Sequence, residues 1–148
     1  MKARTIVAIS VVVALAFPAT VLALRRTYFG PAASGVNNAG VEISARLKKG
    51  VPVKVTRLGW HNVPGACAGY ANTATTDEFP SAIDVTDGKF KATAKFNGGH
   101  AKVTVTGAFK HQNQRMKGTI RVRGAVSGCS SVDTGVVSWT AKQPAGQK

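Results

Sequence analysis

Carboxylates are scarce in this chain: six Asp and Glu stand against 20 Lys and Arg, a net charge of +14 over 148 residues. Between Asp87 and Asp133 there is none at all. Acids for glycosidic or calcium chemistry would have to come from Asp77, Glu78, Asp84 and Asp87, and these lack the ligand rhythm of a calcium loop. Asp87 is accounted for by the Asp-Gly turn that it opens. Histidine is scarcer still, with His61, His100 and His111 separated by 39 and 11 residues, a spacing foreign to zinc sites. No metal and no cofactor is expected. A Gly-rich phosphate loop is missing too, because Asn97-Gly98-Gly99 reads as a hairpin turn and not as a strand-to-helix crossing. After residue 30 no segment keeps a 3.6-residue period over three turns, which removes helices from the expected fold.

What the chain does have begins with an export signal. Lys2 and Arg4 precede an uncharged apolar run from Thr5 to Phe17, and Pro18 leads into Val21 and Ala23 at the small-residue positions of a cleavage site. We expect residues 1–23 to be a secretory signal peptide. The alternative is an uncleaved anchor, since residues 5–24 are long enough to span a bilayer. Either way the remainder is expected outside the cytoplasm, secreted or held at the outer side of the membrane, with no span after cleavage. Cys67 and Cys129 are the only cysteines. In an oxidising compartment an even count implies one bridge.

Residues 24–40, rich in Gly, Asn, Ala and Pro, read as a flexible leader. From Val41 the period is two, in VEISARLK and then in VPVKVTRL, with Val51, Val53 and Val55 on one face. Pro52 places that strand, or its start, at a sheet edge. Residues 59–80 read as loop, apart from a short strand near Cys67 to Tyr70. Asp87-Gly88 marks a hairpin. Phe90, Ala92, Ala94 and Phe96 then point inward, followed by Val103, Val105 and Phe109, by Ile120, Val122 and Val126, and by Val137, Trp139 and Ala141. The expectation is an all-β domain over residues 41–142 with a tail at 143–148. About seven to eight short strands would form an antiparallel β-sandwich or a meander β-barrel.

Asp87-Gly88-Lys89-Phe90, Gly118-Thr119-Ile120, Cys129, Thr134-Gly135 and Trp139-Thr140-Ala141 occur in that order. Over roughly residues 80–142 the chain thereby resembles a group of small secreted β-proteins of high-GC Gram-positive bacteria, whose members have no assigned activity. The resemblance implies compartment and fold class, and carries over no catalytic or binding residue.

The stretch GCSSVDTGVVSWTAK, residues 128–142, looks most like chemistry. An oxidised Cys129 cannot supply a thiolate. Ser130, Ser131 and Asp133 are of the types that turn a chain by bonding local backbone, and nothing places a base beside them. No catalytic residue is expected. The stretch reads as a stapled closing strand.

A basic field is the feature left over. Nine cations lie between Asp87 and Asp133, and eight of them fall on the outward positions of three successive strands: Lys89, Lys91, Lys95, Lys102, Lys110, Lys117, Arg121 and Arg123. Arg115 falls out of this phase. A solvated face that discourages edge-to-edge pairing is the plain explanation. A single-sign field also attracts polyanions. The leading expectation is a non-enzymatic binding domain for anionic envelope or extracellular polymers. Specific nucleic-acid recognition is not expected, because no aromatic side chain lies in phase on that face. The alternatives are a β-barrel carrying a small molecule and, less favoured, a secreted hydrolase built on His61 and the acidic cluster. The export reading makes one direct prediction: exported protein begins at Leu24, and intact mass would show residues 1–23 retained only in an anchored form.

Overall fold

A computed structural model describes residues 23–33, 38–67 and 70–146. The expected signal peptide falls almost entirely outside the described residues. The chain is all-β, and among the described residues there are ten strands. These are β1 (Leu24–Pro31), β2 (Gly40–Lys48), β3 (Val51–Cys67), β4 (Tyr70–Glu78) and β5 (Ile83–Asp84). They are followed by β6 (Lys89–Phe96), β7 (Ala101–Lys110), β8 (Arg115–Val126), β9 (Cys129–Asp133) and β10 (Val137–Lys142).

All pairings are antiparallel, in the order β10-β1-β2-β3-β9-β8-β7-β6, with β4 and β5 on β3 and a further pairing of β10 with β8. One edge of β8 is taken by β7 along its length. The opposite edge is shared end to end, Arg115–Ile120 by β10 and Arg123–Val126 by β9. The β6-β7-β8 half and the β1-β2-β3 half are therefore joined twice, through β10 and through β9.

Both joints are sparse in ladder pairs and are reinforced by other means. β1 meets β10 at Phe29↔Lys142 and at a bridge between Ala32 and Trp139. Gly30 lets the backbones touch there, because a Cβ at that position would fall on the Thr140 carbonyl oxygen. Among the described residues β3 meets β9 at Ala66↔Asp133 and Cys67↔Val132. The expected Cys67–Cys129 disulfide lies at this joint, with Cα atoms 5.9 Å apart and 62 positions between the partners. Closing a loop of about 60 residues contributes roughly 4 kcal/mol in the chain-entropy model.

Two expectations fail at the sequence level. The segment read as a flexible leader begins with β1, which pairs with β2 over eight residues and buries Tyr28 completely. Its period is hidden because Arg26 and Gly30 share the face of Tyr28, where apolar residues would signal a strand. The Tyr28 hydroxyl donates to the Asn113 carbonyl oxygen at 2.7 Å. Burial pushes the phenol pKa up, against the opposing pull of Arg26. Residues 59–80, read as loop, extend β3 to Cys67 and form β4. The register slips between Trp60 and Val63, and Asn62 takes a left-handed φ of 52°. A bulge adds one residue and flips the phase, so Trp60 and Val63 are both buried although three positions apart. Slippage against β2 likewise buries Pro52, Val55 and Leu58, and leaves Val51 58% exposed.

The inward phase expected for the second half holds. One rung runs Phe90↔Gly107, Gly107↔Gly118, Gly118↔Trp139 across β6, β7, β8 and β10. The Phe90 and Trp139 rings stack above it at 6.4 Å with 24° between their planes. A Cβ at Gly107 would enter the Phe90 ring, and one at Gly118 would enter the Trp139 ring. Glycine weakens an isolated strand, but an aromatic ring laid over it restores the packing. Gly107→Ala is expected to cost about 1–3 kcal/mol by overpacking. In a Phe90→Leu background most of that cost should vanish in a double-mutant cycle of denaturant midpoints. Full additivity of the two changes would mean that the ring does not occupy the glycine's space.

Candidate polyanion-binding face

Strand alternation sends the odd-numbered residues of β6 and β8 to the outside, together with the even-numbered residues of β7 and β10. Register then sets the outward side chains in rows. Lys110, Arg115 and Lys142 form the first. The second is Lys89, Ala108, Lys117 and Thr140, and the third is Lys91, Thr106, Thr119 and Ser138. Thr93, Thr104 and Arg121 make the fourth, and Lys95, Lys102, Arg123 and Asp133 the fifth. Threonines knit the middle rows, with Thr106 and Thr119 hydroxyls 2.8 Å apart and those of Thr93 and Thr104 3.1 Å apart. Successive rows are about 7 Å apart, two residues of strand rise.

All eight expected cations thus lie on one face. Arg115 belongs with them, contrary to the phase assigned from sequence, because β8 starts at that residue and its alternation is uninterrupted up to Arg123. Lys142 also joins the face, through the pairing of β10 with β8. No local pattern could place it there, since that pairing crosses more than twenty residues.

The face is not uniformly free. Asp133, expected to serve only its turn, accepts Gly135 N–H at 2.9 Å and also chelates Arg121, with Nε–Oδ1 at 3.0 Å and Nη2–Oδ2 at 2.7 Å. Arg123 Nε lies 3.3 Å from the same carboxylate. Two of the eight cations are therefore committed. Among the described residues none of the six lysines is in an ion pair. Glu42 and Glu78 clasp Arg57 at 3.1 and 2.9 Å, and Asp84 holds Lys54 at 3.1 Å.

Three contiguous hollows run across this face. The central groove, about 770 Å³, is lined by Gly107, Gly118, Thr106 and Thr119 and by the charged residues Lys89, Lys91, Lys117 and Asp84. Towards the fifth row, a hollow of about 270 Å³ includes Lys102, Thr119, Arg121 and Arg123. Towards the first, one of about 220 Å³ includes Lys110, Arg115, Lys117 and Lys142.

The histidines do not converge: His61 lies on β3, His100 follows the turn at Asn97–Gly99, and His111 lies in the turn between β7 and β8. Among the described residues no three His, Cys, Asp or Glu side chains gather as metal ligands. Ser130 and Ser131 are exposed on β9. No family model, curated protein or solved structure matches the chain.

The Asp133 carboxyl is held down to about 2, against 3.8 ordinarily, first by the hydrogen bond from Arg121 and then by that from Gly135. A carboxyl lowered by folding contributes stability that is present above its ordinary pKa and is lost as pH falls through the folded value. Its contribution should disappear between about pH 4 and pH 2. Asp133→Asn should flatten this acid limb in denaturation curves taken across that window. A carboxyl resonance of Asp133 titrating near 3.8 would show that the guanidinium clasp is not formed in solution.

Proposed function

We propose that this is an exported, non-enzymatic binding domain whose basic sheet face associates with anionic polymers of the cell envelope or extracellular space. The observation that carries this reading is the direct opposition of like charges. Lys95, Lys102 and Arg123 face one another across three strands, as do Lys110, Arg115 and Lys142. Like charges in register oppose folding, on the scale of roughly 0.2–1 kcal/mol per pair. Stability would be served by more acids on this face, yet Glu42, Asp77 and Glu78 lie on β2 and β4, and Asp84, which lines the groove, is paired with Lys54. A bound polyanion supplies the missing counter-charge. The groove provides a floor of small and hydroxylated residues on which a polymer chain can lie.

The Arg121–Asp133 clasp shapes the test, because reversing Arg121 would mix loss of a ligand contact with loss of an ion pair. Lys91, Lys102 and Lys117 are unclasped and exposed, so their joint reversal to Glu leaves the core untouched. The control reverses Arg25, Arg46 and Lys48 on β1 and β2, lowering the charge of +14 by the same six units. Exposed charges are worth at most about 1 kcal/mol each, so both variants should fold. Binding to polyphosphate or poly-L-glutamate should weaken by tenfold or more in the face variant, roughly the effect of losing three screened contacts, and far less in the control. Equal losses in both would mean that net charge alone matters. A wild-type protein indifferent to both polymers at about 0.15 M salt would refute the reading.

A further inference from the structure

The first-row hollow has features that a general anion surface does not require, and the inference drawn from them rests on the basic-face reading. Lys110, Arg115 and Lys142 stand side by side in register, and Lys117 and His111 complete the wall. Met116 and Ala141 in its lining are 2% and 1% exposed, so the base of the hollow is rigid core. Among the described residues Arg115 is the guanidinium of this face that has no carboxylate partner, since Arg121 and Arg123 are both held by Asp133.

The turn carrying His111 is strained. His111, Gln112 and Asn113 take φ values of 49°, 54° and 65°, three consecutive left-handed residues without a glycine. The β6 hairpin turns more simply through Asp87-Gly88, so connecting two strands does not demand such strain. The turn is pinned from outside by the Tyr28 hydroxyl on the Asn113 carbonyl, and by Asn113 Nδ2 donating to the Gly50 carbonyl oxygen at 2.9 Å. Strain that the surroundings over-determine is characteristic of ligand clamps.

We propose that this hollow is a phosphoryl-binding subsite, which takes a phosphate group of an anionic polymer lying along the face. A carboxylate offers two coplanar oxygens and one charge, too few for a fork of guanidinium donors with three ammonium groups around it. A phosphoryl group presents two or three non-bridging oxygens arranged tetrahedrally. It therefore accepts the two parallel guanidinium bonds while still facing the lysines. The site requires Arg115 as a planar donor and not merely as a charge.

Polyphosphate, poly-L-glutamate and dextran sulfate of matched length, titrated against the full exported chain, test this. Wild-type protein should prefer polyphosphate by about fivefold or more, because a phosphoryl group that takes both guanidinium bonds keeps a further oxygen for the lysines, and a carboxylate does not. Arg115→Lys keeps the charge and should erase most of that preference, weakening polyphosphate binding severalfold more than poly-L-glutamate binding. Vesicles of phosphatidic acid in phosphatidylcholine form a parallel arm, and an Arg115-dependent response to them alone would assign the phosphoryl group to a headgroup instead of a soluble polymer. Equal wild-type affinity for all three polymers, or an Arg115→Lys change that weakens all of them alike, overturns the subsite. Should the wild type bind no polymer, the basic-face reading fails by itself. The subsite then stands or falls on inorganic pyrophosphate: a shift of the Arg115 Nε–H resonance upholds it, and an unmoved resonance rejects it.

Discussion

The absence of side chains at Gly107 and Gly118 is the constraint on which the packing of the second half of the sheet depends. Inside, it opens the space in which Phe90 and Trp139 stack, and those rings bring β6 and β10 to bear on the same core. Phe109 extends the cluster, edge-on to both Phe90 and Tyr28, and so links the second half of the chain to β1. On the outer side the same two residues line the central groove between the rows of threonines and lysines. A larger residue at either position would enter the core rings. The packing solution and the candidate binding surface are two faces of one rung.

Around that rung the molecule is held where its ladders are thinnest. The two halves of the sheet meet through β10 and β9, neither of which offers a long ladder to the β1-β2-β3 half. At one joint a glycine permits backbone contact, and at the other a disulfide replaces the missing hydrogen bonds. A crosslink acts chiefly on the unfolded chain, by removing loop-closure entropy. It is most useful where native contacts are few and distant in sequence.

Charge is segregated over the same architecture. Glu42 and Glu78 are spent on Arg57 and Asp84 on Lys54, while the β6-β7-β8 surface keeps six lysines without an acidic partner among the described residues. Asp133 is the exception, and it organises the face more than it neutralises it. By fixing Arg121 and Arg123 it leaves Arg115, at the far end, as the guanidinium open to a ligand. Long-range attraction would come from the whole field, and selectivity from the one place where a planar donor and several ammonium groups converge.

Much of this was legible in the linear chain. Alternation over 89–96, 101–110 and 117–123 identified the inward residues, the Asp-Gly turn and the common face of eight cations, because a period of two is a local property of a strand half in water. The two cysteines were enough to imply the staple. What the linear pattern hid was β1 and the long reach of β3. An arginine and a glycine on the inward side masked the first, and bulges reset the phase of the second. Nor could spacing alone reveal that Asp133 clasps Arg121, that Lys142 joins the face or that Tyr28 pins the turn after Lys110. Each depends on strands that meet only when the two halves of the sheet close on one another. Sequence determined which way each side chain of a regular strand points; only tertiary pairing decided which of them become neighbours, since register between distant strands is set by the packing of the whole core.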